Sequence, residues 1–467
     1  MTRSCDVAII GAGFAGLAAA EILTANGLKV RILDENAHVG GQLLRKPGVQ
    51  ASGSGRFELD GIERSGLRLL ARVTRRALTV STGTQVLGIF PENRILTEDP
   101  RGRVSELKAD FVICAPGARE KFIPFKGWTL PGVISTGAAQ ILIKGSGVLP
   151  AAVTVIGGLG PLQFVLAREI SSHGGRVAAV LDQSAVTEKI KALRLLPRHG
   201  LTLLEGVRIM GLLRLAGIPV RSGWRIIEAK GRGHLEAVVA ARCNRDGHVI
   251  AGTESVYPTS CLAVGYGFVP NIELPLQAGC ATDYRPERGG WVVRVDDSLE
   301  TSLPNIFAAG EATGIAGARK SFIEGRICGW AILEKLGRAV PQSRRRLGRL
   351  ARERRHELNY GAFLNAMCRG GSGGATAIPD ETVICRCEDV RMADIRRRIA
   401  EGFHTPAALK KACRCGMGNC QGRICGPILH DILTAEAGVA AQAFGPASIR
   451  APVKTVRLGA LADSDLS

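Results

Sequence analysis

At 467 residues the chain is long enough for two or three domains with full cores. Its 46% hydrophobic and 22% charged residues give the balance of a globular protein, not of a disordered or fibrous one. The net charge of +19, from 61 Lys+Arg against 42 Asp+Glu, is spread mostly as Arg along the chain; with no nucleic-acid motif in sight, it argues for no nucleic-acid partner. No apolar run reaches the roughly 18–20 residues of a membrane span. The start, MTRSCDVAIIGAG, lacks a secretory h-region, so the 13 Cys read as thiols in a reducing cytoplasm, with peripheral membrane association left open.

The first element is the apolar run Asp6–Ile10, read as a buried parallel strand. It enters Gly11-Ala12-Gly13-Phe14-Ala15-Gly16, then the helical stretch LAAAEILTAN with Gly27 as its stop, then the strand KVRILD ending at Asp34. This is G-x-G-x-x-G between strand and helix, with an acid about 20 residues on, the dinucleotide-binding arrangement. Gly11 allows the tight turn, Gly13 the approach of a pyrophosphate, and Gly16 close helix–strand packing, while the helix N-terminus offers free amides to phosphate. Asp34 is placed to accept from an adenosine ribose.

A hairpin is expected within residues 92–120, ending at Ala115-Pro116-Gly117. A second unit follows: the strand AVTVI, the turn Gly157-Gly158-Leu159-Gly160-Pro161-Leu162, a helix and the strand RVAAVLD. Only Gly158-x-Gly160 matches the glycine pattern there, and Gln163 stands where the last glycine belongs. NAD(P)H binding and a retained fold without nicotinamide both stay open. The chain has no C-x-x-C pair, which disfavours dithiol reductase chemistry. Cys5, Cys114, Cys243, Cys261, Cys280, Cys328 and Cys368 read as core thiols. No Ser/His/Asp triad or acid/base pair stands out, so no catalytic residue is assigned.

Beyond Thr301–Glu311 (TSLPNIFAAGE) comes the helix SFIEGRICGWAILEKL, then an Arg-rich stretch from Arg344 to Arg355, either a solvated helix face or a docking surface. Residues 369–375 form a Gly/Ser joint. Last is CRCEDV…KKACRCGMGNCQGRIC, with Cys385 and Cys387 as C-x-C, Cys420 and Cys425 as C-x4-C, and Cys413/Cys415 as a second C-x-C between them. Soft thiolates in glycine-rich turns suit an iron–sulfur cluster or zinc, although zinc sites prefer C-x2-C.

The loop His38–Gln42, the Ala115-Pro116-Gly117 turn and the stretch ending Gly310-Glu311 resemble, in order, three FAD motifs of two-dinucleotide-domain flavoproteins. The thiol region resembles the [2Fe–2S] domain of bacterioferritin-associated ferredoxin. Over nearly the full chain, with PFKGWTLPGVISTGAAQ, LAVGYGFVPNIEL and GEATGIAGARKSFIEGRICG, the sequence resembles the FAD-containing A subunits of opine oxidase, D-hydroxyproline dehydrogenase and hydrogen cyanide synthase. That resemblance implies an α/β fold of nested Rossmann-like units plus a small C-terminal [2Fe–2S] domain. The expected divisions are 1–120 (FAD, first part), 121–290 (second Rossmann-like unit), 291–340 (FAD return), 341–375 (Arg-rich helix and linker), 376–436 (cluster domain) and 437–467 (tail). It implies FAD contacts from Gly11, Gly13, Phe14, Ala15, Gly16, Asp34, Glu35, Gly41, Gln42, Ala115, Gly117, Gly310 and Glu311, and a cluster on Cys385, Cys387, Cys420 and Cys425. It also implies a beta subunit resembling D-amino-acid oxidase and, as a further candidate, a small gamma subunit. Electrons would leave to a quinone or other acceptor. A self-contained NAD(P)H-dependent reductase with a fused ferredoxin module is the alternative.

Overall fold

The computed structural model describes residues 3–44, 61–75, 78–184, 200–338, 342–368 and 373–462. Most of the Gly/Ser joint, 369–372, and the last residues, 463–467, lie outside these. Strand β1 (Arg3–Ile10) and β2 (Val30–Leu33) flank helix α1 (Phe14–Ala25), as the apolar runs predict; helix α2 (Gly61–Thr74) and β3 (Thr79–Ser81) follow. The expected hairpin is β5 (Arg94–Glu98) against β6 (Val104–Cys114), and β5 pairs on its other side with β4 (Gln85–Phe90). The sheet order is β3-β2-β1-β6-β5-β4, and β1, β2, β3 and the second half of β6 run parallel. β7 (Ala118–Glu120) then leads out of this domain.

The second unit has β8 (Val133–Ser135), α3 (Thr136–Ser146), β9 (Val153–Leu159), α4 (Leu162–Ser172) and β10 (Arg176–Asp182). With β11 (Val220–Ser222) and β15 (Cys261–Tyr266) they make a parallel sheet of order β11-β10-β9-β15-β8. An antiparallel sheet of β12 (Trp224–Lys230), β13 (Ala237–Arg242) and β14 (Ser255–Pro258) lies beside it. The chain returns through β16 (Phe268–Pro270), which pairs with β7, then the hairpin β17 (Thr282–Arg285) and β18 (Gly290–Val293). β19 (Ile306–Ala308) rejoins the first sheet beside β6, so the second unit is nested within the first.

The return helix, Ala318–Lys335, lies on α1, and glycine sets the distance. A Cβ on Gly325 would sit 2.0 Å from the Ala15 carbonyl oxygen, and one on Gly329 would sit 2.8 Å from Ile22. The buried faces of both helices and of β1 merge into one core with Ile9, Leu23, Phe307 and Ile332. The Arg-rich stretch is a helix, Ser343–Met367, packed beside the return helix. The C-terminal lobe has helices Met392–Ala400, Pro406–Cys413 and Cys425–Glu436 around its own core of Ile384, Met392, Ile395 and Ile432. Thr405 caps the second of these and Pro406 starts it, as TPAALKKAC predicts.

The tail is more than an appendage. Val453 is buried in the first domain's core and donates its amide to the Leu87 carbonyl at 2.8 Å, while Lys454 pairs with Glu35 at 2.6 Å. Among the described residues, no helix is long and apolar enough to cross a membrane.

Candidate functional site

The glycines after β1 build a cradle. Gly11 has φ +106°, and a Cβ there would lie 2.2 Å from the Ala115 carbonyl oxygen. One on Gly16 would lie 2.0 Å from the Gly11 oxygen, which is how the helix closes on the strand. Gly13 is different: it is the N-cap of α1 with no side-chain cap, and no described atom lies within 4 Å of where its Cβ would point. The first-turn amides thus have no side-chain cap and the space beside Gly13 is open, the chemistry of a pyrophosphate site at the positive end of a helix dipole.

The other expected residues gather here. Gly41 has φ +63°, and a Cβ there would lie 3.0 Å from Gly13 Cα; Gln42 beside it is exposed. Ala115 abuts Gly11, open space lies off Gly117, and a Cβ on Gly310 would lie 3.2 Å from Ala15 Cβ. Asp34 is buried, but its carboxylate already serves the protein: Oδ2 accepts from the Ala12 amide at 2.6 Å and Oδ1 from the Asn36 amide at 2.7 Å. Its first task is to hold the glycine turn; remaining lone pairs are left for a ribose. Glu35 is half-exposed and paired with Lys454.

Behind Gly310 and Glu311 lies a buried charge network that the sequence did not announce. Lys320 and Glu324, both fully buried, are 2.9 Å apart, and Arg354 of the Arg-rich helix reaches Glu324 at 2.7 Å. Lys320 also donates to the Gly310 and Gly314 carbonyls and to Thr313 Oγ1, while Glu324 accepts from the Gly310 amide at 2.8 Å. Burial works to raise the Glu324 pKa, but Lys320 and Arg354 outweigh it and hold it low, so this carboxylate is charged. Burial also raises the Glu311 pKa; its carboxylate accepts from the Ala316 and Gly317 amides and so pins its own loop. Removing one partner of such a buried pair costs about 3–5 kcal/mol, so the network fixes the loop's shape firmly.

Around the thiols, the structure brings the expected four together as two pairs. Cys385 lies within 4.8 Å of Cys425, and Cys387 lies beside Cys420, one thiol from each motif in each pair. Two thiols for each of two metals is the donor set of a [2Fe–2S] cluster, and the residues fit that group. Gly418 is required there: a Cβ would lie 2.1 Å from Cys387 Cβ. Cys415 joins the buried pair, with the sulfurs of Cys385, Cys415 and Cys425 all within 4.8 Å of one another.

This lobe is stitched to the hinge. Arg119 of β7 donates to the Arg423 carbonyl at 3.0 Å, Lys121 pairs with Asp431, and Trp128 Nε1 donates to the Val383 carbonyl at 2.7 Å. Arg119 is two residues from Gly117, so the link from the cradle to the thiol loop is about 7 Å of extended chain plus the Arg119 side chain and its hydrogen bond. A cavity of about 790 Å³ lies beside the Cys425 helix, lined in part by Arg119, Phe268, Trp291 and His430.

The second glycine loop is filled. Gly158, φ +125°, repeats the Gly11 device against the Gly265 oxygen at 2.0 Å. Where Gly13 faces open space, however, a Cβ on Gly160 would meet Cys368 Sγ at 2.4 Å. Cys368 is the C-cap of the Arg-rich helix, and burial pushes its pKa up to about 12, so it is an inert filler. Of the other isolated thiols, Cys5, Cys114, Cys261, Cys280 and Cys328 are buried core, whereas Cys243, expected there too, is half-buried; burial raises the pKa of each.

The sequence matches the pyridine nucleotide-disulphide oxidoreductase family over residues 5–327 and the sarcosine oxidase A3 domain over residues 380–464. It is 33% identical to the A subunit of opine oxidase from Rhizobium meliloti, over 98% of this chain and 87% of that protein. It is 32% identical to the HcnB subunit of hydrogen cyanide synthase from Pseudomonas aeruginosa, over 89% and 90%. In fold it is similar to L-proline dehydrogenase from P. horikoshii, with a TM-score of 0.73 and 20% identity, over 98% of this chain and 80% of that one. The chain therefore belongs to the family of FAD-dependent oxidoreductase A subunits that includes those of opine oxidase and, as HcnB, of hydrogen cyanide synthase.

Proposed function

We propose that this chain is the electron-carrying subunit of a heteromeric flavin-dependent dehydrogenase for the C–N bond of amino acids or opines. A partner subunit resembling D-amino-acid oxidase would hold the substrate and remove the hydride. In this reading Gly11, Gly13, Phe14, Ala15 and Gly16 seat the FAD pyrophosphate, and Asp34, Glu35, Gly41 and Gln42 border its adenosine half. Ala115, Gly117, Gly310 and Glu311 border the rest. Cys385, Cys387, Cys420 and Cys425 hold a [2Fe–2S] cluster. Bound FAD supplies two-electron chemistry and the cluster one-electron chemistry. The chain's own residues supply position: Lys320, Glu324 and Arg354 fix the Gly310 loop, and Arg119 ties the thiol loop to the strand leaving the cradle.

The observation that carries this reading is the short span from Gly117 through Arg119 to Arg423, which supports two cofactor sites side by side. The cavity beside the Cys425 helix suits an uncharged acceptor such as a quinone ring, because Glu273 and Asp431 neutralise its cations Arg119 and Lys121. The alternative, a self-contained NAD(P)H reductase, needs a pyrophosphate against Gly160, where Cys368 stands.

The test is anaerobic mixing of the purified, co-expressed complex, followed at the flavin absorbance. Bleaching by an N-substituted amino acid in the presence of the partner, and not by NADH or NADPH, is the expected result. Rapid bleaching of this chain alone by a nicotinamide would overturn the reading in favour of the reductase.

A further inference from the structure

The C-terminal lobe gathers three buried thiols, Cys385, Cys415 and Cys425, one of which is surplus to a four-cysteine set completed by Cys387 and Cys420. Cys413 and Cys415 form the second C-x-C, with Arg414 at φ +64° turning the chain between them. The turn separates their fates. Cys413 donates to the Leu409 carbonyl of its own helix at 3.1 Å, whereas Cys415 is buried beside Cys385 and Cys425, the three sulfurs all within 4.8 Å of one another.

Coordination counting says which of the three inner thiols is surplus. Cys385 and Cys425 each belong to a motif whose other member, Cys387 or Cys420, sits in the outer pair. Two ligands per iron are thereby complete. Cys415 has no such counterpart, since Cys413 is turned away. With no coordination position left, its S–H group faces two ligand sulfurs. A hydrogen bond to a ligand thiolate withdraws electron density from the iron and favours the reduced, more negative state of the cluster.

We propose that Cys415 is a non-ligand thiol that donates to the sulfurs of Cys385 and Cys425 and thereby raises the reduction potential of the cluster. This rests on the four-cysteine ligand set of the proposed function. It makes Cys415 a positioning and tuning residue, one that sets how readily the lobe accepts an electron.

The experiment compares Cys415→Ala, Cys415→Ser and wild type, each as the full chain with its partner, handled without oxygen. Iron and sulfide are counted per chain, and the midpoint potential is read by dye-mediated titration followed by paramagnetic resonance. The expected result is wild-type iron content in both variants, a lower potential in Cys415→Ala, and recovery of most of that drop in Cys415→Ser, whose hydroxyl still donates. If the alanine variant does not fold, Cys415→Val, nearly isosteric and without a donor, is read in its place. Loss of iron in a folded Cys415 variant would overturn the proposal by making Cys415 a ligand. An unchanged potential in Cys415→Ala, or a serine variant that tracks alanine, would overturn it by removing the hydrogen bond. Wild-type protein free of iron would instead sink the cluster assignment itself.

Discussion

The two glycine loops begin with the same device and end in opposite states. Gly11 and Gly158 both take positive φ and both come up against a carbonyl oxygen of the neighbouring strand, at 2.2 and 2.0 Å from an added Cβ. One step on they part: Gly13 opens to space at a helix N-terminus, while Gly160 closes on the thiol of Cys368. The difference teaches that a glycine pair fixes the bend of a strand-to-helix turn but not what occupies the room it leaves. In one loop that room is kept for a ligand; in the other, the end of the Arg-rich helix takes it.

The comparison can be broken at three points. The largest effect is expected from Gly13→Val, which fills the open cradle without touching the fold. FAD retention should fall by at least about 100-fold, or on the order of 3 kcal/mol, read as flavin absorbance per chain after dialysis. Retention of full flavin would mean that the cradle is not the pyrophosphate site. Next is Gly160→Ala, where φ +90° and the 2.4 Å overlap with Cys368 act together. It should cost about 2 kcal/mol in urea unfolding, and Cys368→Ala in the same chain should restore about half, since the overlap goes and the backbone strain stays. If the second substitution restores nothing, Cys368 is not what fills the loop.

The smallest effect belongs to Gln163, which stands in the second loop where Gly16 stands in the first. Its side chain is buried, and neither its nitrogen nor its oxygen has a partner among the described residues. Gln163→Met keeps the length and removes the stranded amide, so stability should hold or rise by up to about 1 kcal/mol. A clear loss would show that the amide has a ligand or water to bind.

Much of this was legible in the residues. Strand, glycine turn, helix and strand are found at both predicted places because short apolar runs and glycine punctuation act locally. Cys385 and Cys425, from the two spaced motifs, meet because both are packed into the core of the small C-terminal lobe, where Cys415 joins them. What the sequence did not disclose depends on residues far apart in the chain. Nothing near Gly160 announces Cys368, and nothing near Glu324 announces Arg354. Asp34, expected as a ribose acceptor, stands just after β2, where the sequence puts it. That its oxygens hold the Ala12 and Asn36 amides follows from the fold of the turn, which a motif does not encode. The tail showed no pattern to the eye because its anchors, Val453 and Lys454, act singly against Leu87 and Glu35.

Those anchors bear on how the molecule transfers charge. Gln421 donates to the Pro452 carbonyl at 3.2 Å and Arg423 to that of Val453, so the tail binds the thiol loop at one end and the nucleotide domain at the other. With Arg119, Lys121 and Trp128 gripping the same lobe from the hinge side, the lobe has no slack to swing. In the proposed function, passage between the flavin and cluster sites is then a jump across a fixed gap, whose speed is set by distance and driving force and is indifferent to solvent viscosity.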